Sequence, residues 1–139
     1  MSKKNNSPLQ CQLVTVPLIT DPRGSLCFAE SAKLPFPIER VFWIYGVPEG
    51  KTRGGHAHTS CAEIVFPVSG SFDMWVDDGK EEKTYHLDSP QVGILIPPNV
   101  WCELRNFSPN TICVVLASEA YNSEGYINEY TSFKNAKDS

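Results

Sequence analysis

Two histidines separated by one residue, His56 and His58, are followed by Glu63 and framed by Gly50 and Gly70. Side chains two apart on an extended strand project to the same face. If that strand lines a small barrel, two imidazoles enter one pocket. Imidazole titrates close to neutrality, so it can take and return a proton, and in its neutral form it ligates metals. Glu63 adds either a third ligand or a charge that raises the pKa of a neighbouring histidine. It is expected on the returning strand after His58, facing the pair across a hairpin. Gly54 shares the histidine face, and the pair Gly54-Gly55 is suited to bulge the strand and re-aim Arg53. Spacing alone leaves metal binding and proton transfer both open.

The elements that must hold these residues read as short strands punctuated by turns. Strands are expected at 13–16, 26–29, 38–45, 53–58, 62–68, 72–76, 84–87, 92–96, 101–106 and 112–117. The breaks are Asp21-Pro22-Arg23-Gly24, Ser69-Gly70, Asp77-Asp78-Gly79, Asp88-Ser89-Pro90, Pro97-Pro98-Asn99 and Ser108-Pro109-Asn110. No helical period is sustained before residue 118, and 118–133 is expected to form one or two helical turns. Strands at this spacing suit an all-β jelly roll or barrel. Residues 1–10 read as a flexible tail, 11–134 as one domain, and 135–139 as a flexible end.

Composition narrows the function classes. A net charge of −4 argues against a nucleic-acid surface, while a few arginines suffice for an anionic small ligand. The five cysteines are odd in number and form no CxxC pair, which suits reduced thiols in a cytoplasmic protein. Neither a signal peptide nor a stretch of membrane-spanning length is visible, so no membrane partner is expected. Trp75, Trp101 and Tyr85 fall on strands, where aromatics are commonly core, and Trp101 is placed near the pocket beside Cys102. His86 reads as exposed or structural. Tyr121, Tyr126 and Tyr130 read as packing the tail onto the barrel.

The run from Gly50 to Gly70 resembles the first motif of the cupin superfamily at full spacing. Gly93 to Asn106 resembles the second, with Cys102 where a histidine is expected and Asn106 four residues later. This resemblance implies a cupin double-stranded β-helix, a jelly-roll barrel with a short helical or irregular C-terminal tail. Further segments are similar to the nucleotide-sugar 3,4-ketoisomerases, which act on dTDP-4-keto-6-deoxyglucose: Asp21 to Leu26, Leu34 to Val41, Arg53 to His58, Leu87 to Gly93, Val100-Trp101, Val115 to Ser118 and Tyr126 to Tyr130. That family implies transfer of a keto group from C4 to C3 through an enediol, without metal or other cofactor. It also implies a homodimer that exchanges an N-terminal strand.

On that resemblance His56 is the base and His58 its partner. Arg23, Arg53, Glu63, Trp101 and Cys102 are expected at the substrate. The family usually has tyrosine where Phe42 stands, often glutamine where Glu63 stands, and histidine or arginine where Cys102 stands. That last position is associated with product configuration at C4. Arg23 matches members that make the galacto product, and Cys102 matches neither type. Two other readings compete with the isomerase. One is a dioxygenase-like metal enzyme using His56, His58, Glu63 and Cys102. The other is a non-catalytic nucleotide-sugar binder.

Overall fold

The computed structural model describes residues 10–138; residues 1–9 and 139, and with them nearly all of the expected N-terminal tail, lie outside the described residues. Twelve strands and one helix follow in the order β1 (Gln12–Thr15), β2 (Leu18–Asp21), β3 (Gly24–Cys27), β4 (Arg40–Tyr45), β5 (Arg53–His58), β6 (Glu63–Ser69), β7 (Phe72–Asp77), β8 (Glu82–Leu87), β9 (Val92–Ile96), β10 (Trp101–Arg105), β11 (Ile112–Ala117), β12 (Tyr126–Ile127) and α1 (Tyr130–Asp138). Two five-stranded sheets, β1-β9-β6-β11-β4 and β12-β5-β10-β7-β8, face each other, and β2-β3 stands apart as a two-stranded hairpin. All pairings are antiparallel. This is the cupin-type jelly roll.

Alternation along the strands decides what each face buries. On β4, Arg40, Phe42 and Ile44 turn inward, while Val41, Trp43 and Tyr45 remain exposed. The space between the sheets is filled by apolar side chains from both, including Val65, Phe72, Met74, Ile94, Leu104 and Val115. A second cluster covers the outer face of the first sheet, where Ile64, Phe66, Leu95 and Leu116 pack against Val16 and Phe36. The proline-flanked Phe36 is therefore a plug on that face. A third cluster lies outside the second sheet, where Phe133 of α1 seals Ala57 and Trp101.

Each of the ten expected strands has a counterpart, with one displaced: residues 24–27 pair instead of 26–29. Two strands carried no signal. β2 is mostly exposed and has no core face to show as alternation, and β12 has only two residues. The Asp21 turn forms as expected, with Asp21 Oδ1 accepting from the Arg23 backbone N–H at 2.8 Å. Residues 135–138, set apart from sequence as a flexible end, continue α1. There the Lys137 stem lies over Gly79, where an added Cβ would come within 2.6 Å of it. Among the described residues no helix is long and apolar enough to cross a membrane.

Candidate active site

The histidine strand is shaped by the glycines before it. Cys102 pairs with His56, but the next residue of β10, Glu103, pairs with Gly54, so Gly55 is the extra residue of a bulge. Gly54 has φ +83°, and a Cβ there would meet the Cys102 carbonyl oxygen at 3.0 Å. Only glycine allows β5 to run this close to β10 in this conformation. The expected bulge is thus present, and it sets the orientation of everything after it.

His56 and His58 enter one space. Their rings lie 4.8 Å apart, edge to face. His58 is 5% exposed and His56 is half-buried. Glu63 is equally buried, with Oε2 3.2 Å from His58 Nε2. The distance suits a hydrogen bond but the angle does not, so Nε2 has no hydrogen-bond partner among the described residues. Glu63 does not reach His58 across a hairpin. β5 and β6 belong to opposite sheets, and the carboxylate meets the imidazole across the interior of the sandwich.

Burial lowers the pKa of His56 below the ordinary imidazole value, the charge of His58 pushes the same way, and Glu63 opposes both. A smaller downward push comes from Arg53. His56 is therefore a neutral, proton-accepting imidazole at pH 7. Removing the opposing charge has a defined sign: in Glu63→Gln the His56 pKa falls further, and the acid limb of a pH–rate profile moves to lower pH. An unmoved or raised limb would contradict this electrostatic assignment.

The other expected site residues divide. Cys102 stands beside His56 as its register partner, 3% exposed within the inter-sheet core. Burial raises its pKa well above the usual thiol value, with Glu63 adding to the shift, so it is a protonated wall residue. Arg53 is exposed at the start of β5, lining a groove of about 360 Å³ with Trp43, Tyr45, Val47 and Lys51. Trp101 is corrected. It directly precedes Cys102 and so faces the other way on β10, beneath α1 with Phe133. Its indole N–H donates to Glu103 at 2.9 Å, and it cannot touch a ligand held at His56. Arg23 sits at the tip of the detached β2-β3 hairpin with its side chain 90% exposed, paired to Asp21 at 2.7 Å. Within one chain it is not part of the histidine site. His86 is exposed and bonded to Asp73, as expected.

Two further residues lie at the site, both from segments similar to the ketoisomerases and neither expected there from sequence. Tyr126 is paired with His58 across β12 and β5, and its ring lies 4.4 Å from His58 and 4.9 Å from His56. Tyr126 packs the tail onto the barrel, as expected, and it does so against the histidine pair. Arg40 comes from β4, the facing edge strand, and its Nη1 donates to Tyr126 Oη at 3.5 Å. Ligand atoms of His56, His58 and Glu63 lie within 4.8 Å of one another, close enough to converge on a divalent ion. Cys102 is not among the groups that converge there.

A jelly roll with a histidine pair on one inner strand defines a cupin-fold protein. The chain matches the WxcM-like C-terminal family, FdtA, over residues 9–138 and belongs to it. It is 36% identical over 127 residues to a TDP-4-oxo-6-deoxy-α-D-glucose 3,4-oxoisomerase of Aneurinibacillus thermoaerophilus, covering 91% of each chain. Its fold is similar to a 3,4-ketoisomerase from Helicobacter canadensis (TM-score 0.90, 33% identity, 94% of this chain and 99% of that one). It is likewise similar to the sugar 3,4-ketoisomerase QdtA of Thermoanaerobacterium thermosaccharolyticum in complex with TDP (TM-score 0.89, 32% identity, 92% and 94%).

Proposed function

We propose that the protein is a sugar-nucleotide 3,4-ketoisomerase, moving the keto group of a TDP-linked 4-keto-6-deoxyhexose from C4 to C3. The observation that carries this reading is His56, a half-buried imidazole held neutral by burial beside a second imidazole, in a chain of this family. His56 takes the proton on C3 and later delivers one to C4. The intermediate is an enediol, whose developing oxygen charge needs nearby donors. Arg53 and Lys51, on the exposed groove next to the histidine strand, suit the diphosphate. The five free cysteines fit a cytoplasmic location.

Arg23 joins such a site only from a second copy, and a homodimer exchanging its N-terminal strand supplies that arrangement. The exposed apolar side chains of Val41, Trp43 and Tyr45 on edge strand β4 support an interface between copies. Sedimentation of the purified protein as a single chain would count against it.

Incubation with TDP-4-keto-6-deoxyglucose in deuterated water tests the activity. The expected result is a 3-keto product and solvent deuterium at the reacting carbons. Tight TDP binding with neither would make the protein a binder. The converging donors also call for metal analysis. A stoichiometric transition metal lost in His56→Ala would replace the proton carrier with a metal centre.

A further inference from the structure

We infer that Tyr126 is a second proton-handling group of this site, positioned by Arg40, and that it moves the oxygen-bound proton of the reaction. The inference rests on the isomerase reading above. Shifting a carbonyl between adjacent carbons requires two protons to move. One leaves C3 and one arrives at C4, and His56 accounts for these. The other must leave the C3 hydroxyl and end on the C4 oxygen. His58 is poorly placed for that transfer, because it is buried with Nε2 3.2 Å from the Glu63 carboxylate. Phe42 has no hydroxyl.

Tyr126 has the placement. It shares the inner face of the sheet with His58 and packs against both imidazoles. The Arg40 guanidinium that donates to its hydroxyl also lies over the Phe42 ring at 4.5 Å and the Tyr121 ring at 5.1 Å. One cation therefore connects the phenol to Phe42 across the seam between edge strands β4 and β12. Among the described residues no carboxylate pairs with Arg40; the nearby Glu119 instead accepts from Ser60. The guanidinium is thus left to hydrogen-bond the phenol oxygen from which a proton departs.

The transfers balance. His56 removes the C3 proton, the C3–H electron pair becomes the C3–C4 double bond, and the C4 oxygen takes the phenol proton. The enediol and a Tyr126 phenolate result. The phenolate then takes the C3 hydroxyl proton, the C3 carbonyl forms, and C4 recovers a proton from His56. Both side chains return to their starting states.

Tyr126→Phe is the test. Product formation is expected to fall about 100-fold, with TDP affinity changed by less than about twofold. Exchange of the C3 proton with deuterated water continues, so the ratio of exchange to isomerisation rises. The double variant Phe42→Tyr/Tyr126→Phe recovers part of the lost turnover. Arg40→Met costs about tenfold in kcat in the wild-type background and nothing further in Tyr126→Phe. A Tyr126→Phe protein that turns over within about threefold of wild type overturns the inference. So does one that loses exchange, turnover and TDP binding together, since that is a structural defect. Additive losses from Arg40→Met and Tyr126→Phe overturn the positioning role of Arg40. A wild-type protein that neither exchanges nor isomerises removes the isomerase reading itself, whereas an active wild type with an equally active Tyr126→Phe removes this inference alone.

Discussion

In His56→Asn, turnover of the TDP-keto sugar falls by about 10³-fold while TDP still binds with near wild-type affinity. Asparagine keeps a polar side chain of similar reach but cannot accept a proton from carbon. The groove beside Arg53 that we propose for the diphosphate lies outside the substitution. A His56→Asn protein with substantial C3 exchange would show that another group is the base. The wild-type pH profile reports the same residue. Because the folded pKa of His56 lies below its ordinary value, the base form persists as the pH falls through about 6.5. Activity is lost only at lower pH. The stability consequence has the same sign. Burying His56 neutral favours the fold above the unfolded-state pKa, and that contribution is lost as the pH falls through the lowered folded value.

Phe133→Ala destabilises the protein by about 3–5 kcal/mol, the other large effect. Phe133 is 1% exposed and supplies the only buried side chain of α1. Its ring packs against Trp101 and Tyr130, with centroids 5.9 and 6.1 Å away. Truncation leaves a cavity under the helix that the rigid strands of β5 and β10 cannot close. What remains holding α1 is the Tyr130 ring against Trp75 and Trp101, its hydroxyl donating to buried Asp77, and Lys134 3.6 Å from the same carboxylate. Thermal unfolding is expected to fall by roughly 10 °C or more. A variant with unchanged melting would show that α1 does not share in the barrel's stability.

How much of this was legible depends on whether a residue's neighbours are encoded locally. The His56–His58 pair was legible because a period of two needs only one strand to express it. The bulge was legible because two adjacent glycines in a strand have few other uses. Glu63 was recognised as a partner by its spacing, but the route was wrong, since whether a chain returns in its own sheet or crosses to the facing one is set by long-range pairing. Trp101 and Cys102 show the converse. Adjacency in sequence suggested a shared pocket, while strand alternation puts adjacent residues on opposite faces. The place of Tyr126 beside the histidines was illegible for a different reason, although its segment carries the family resemblance. β12 is two residues long, with no periodicity to read, and its pairing partner His58 lies 68 positions earlier. α1 was underestimated because one buried phenylalanine in nine residues makes a weak apolar stripe.

Ala57, wholly buried between the two histidines in sequence, faces α1 while they face the site. Three consecutive residues therefore serve two compartments through one backbone. For protein engineering this couples two properties that are usually adjusted apart. Enlarging residue 57 to fill space beneath the helix pushes on the same peptide units that aim both imidazoles, and a gain in packing is paid in geometry. A directed-evolution search on this scaffold would find thermostability most freely in β8, the mostly exposed edge strand of the second sheet, and would find β5 nearly closed to change.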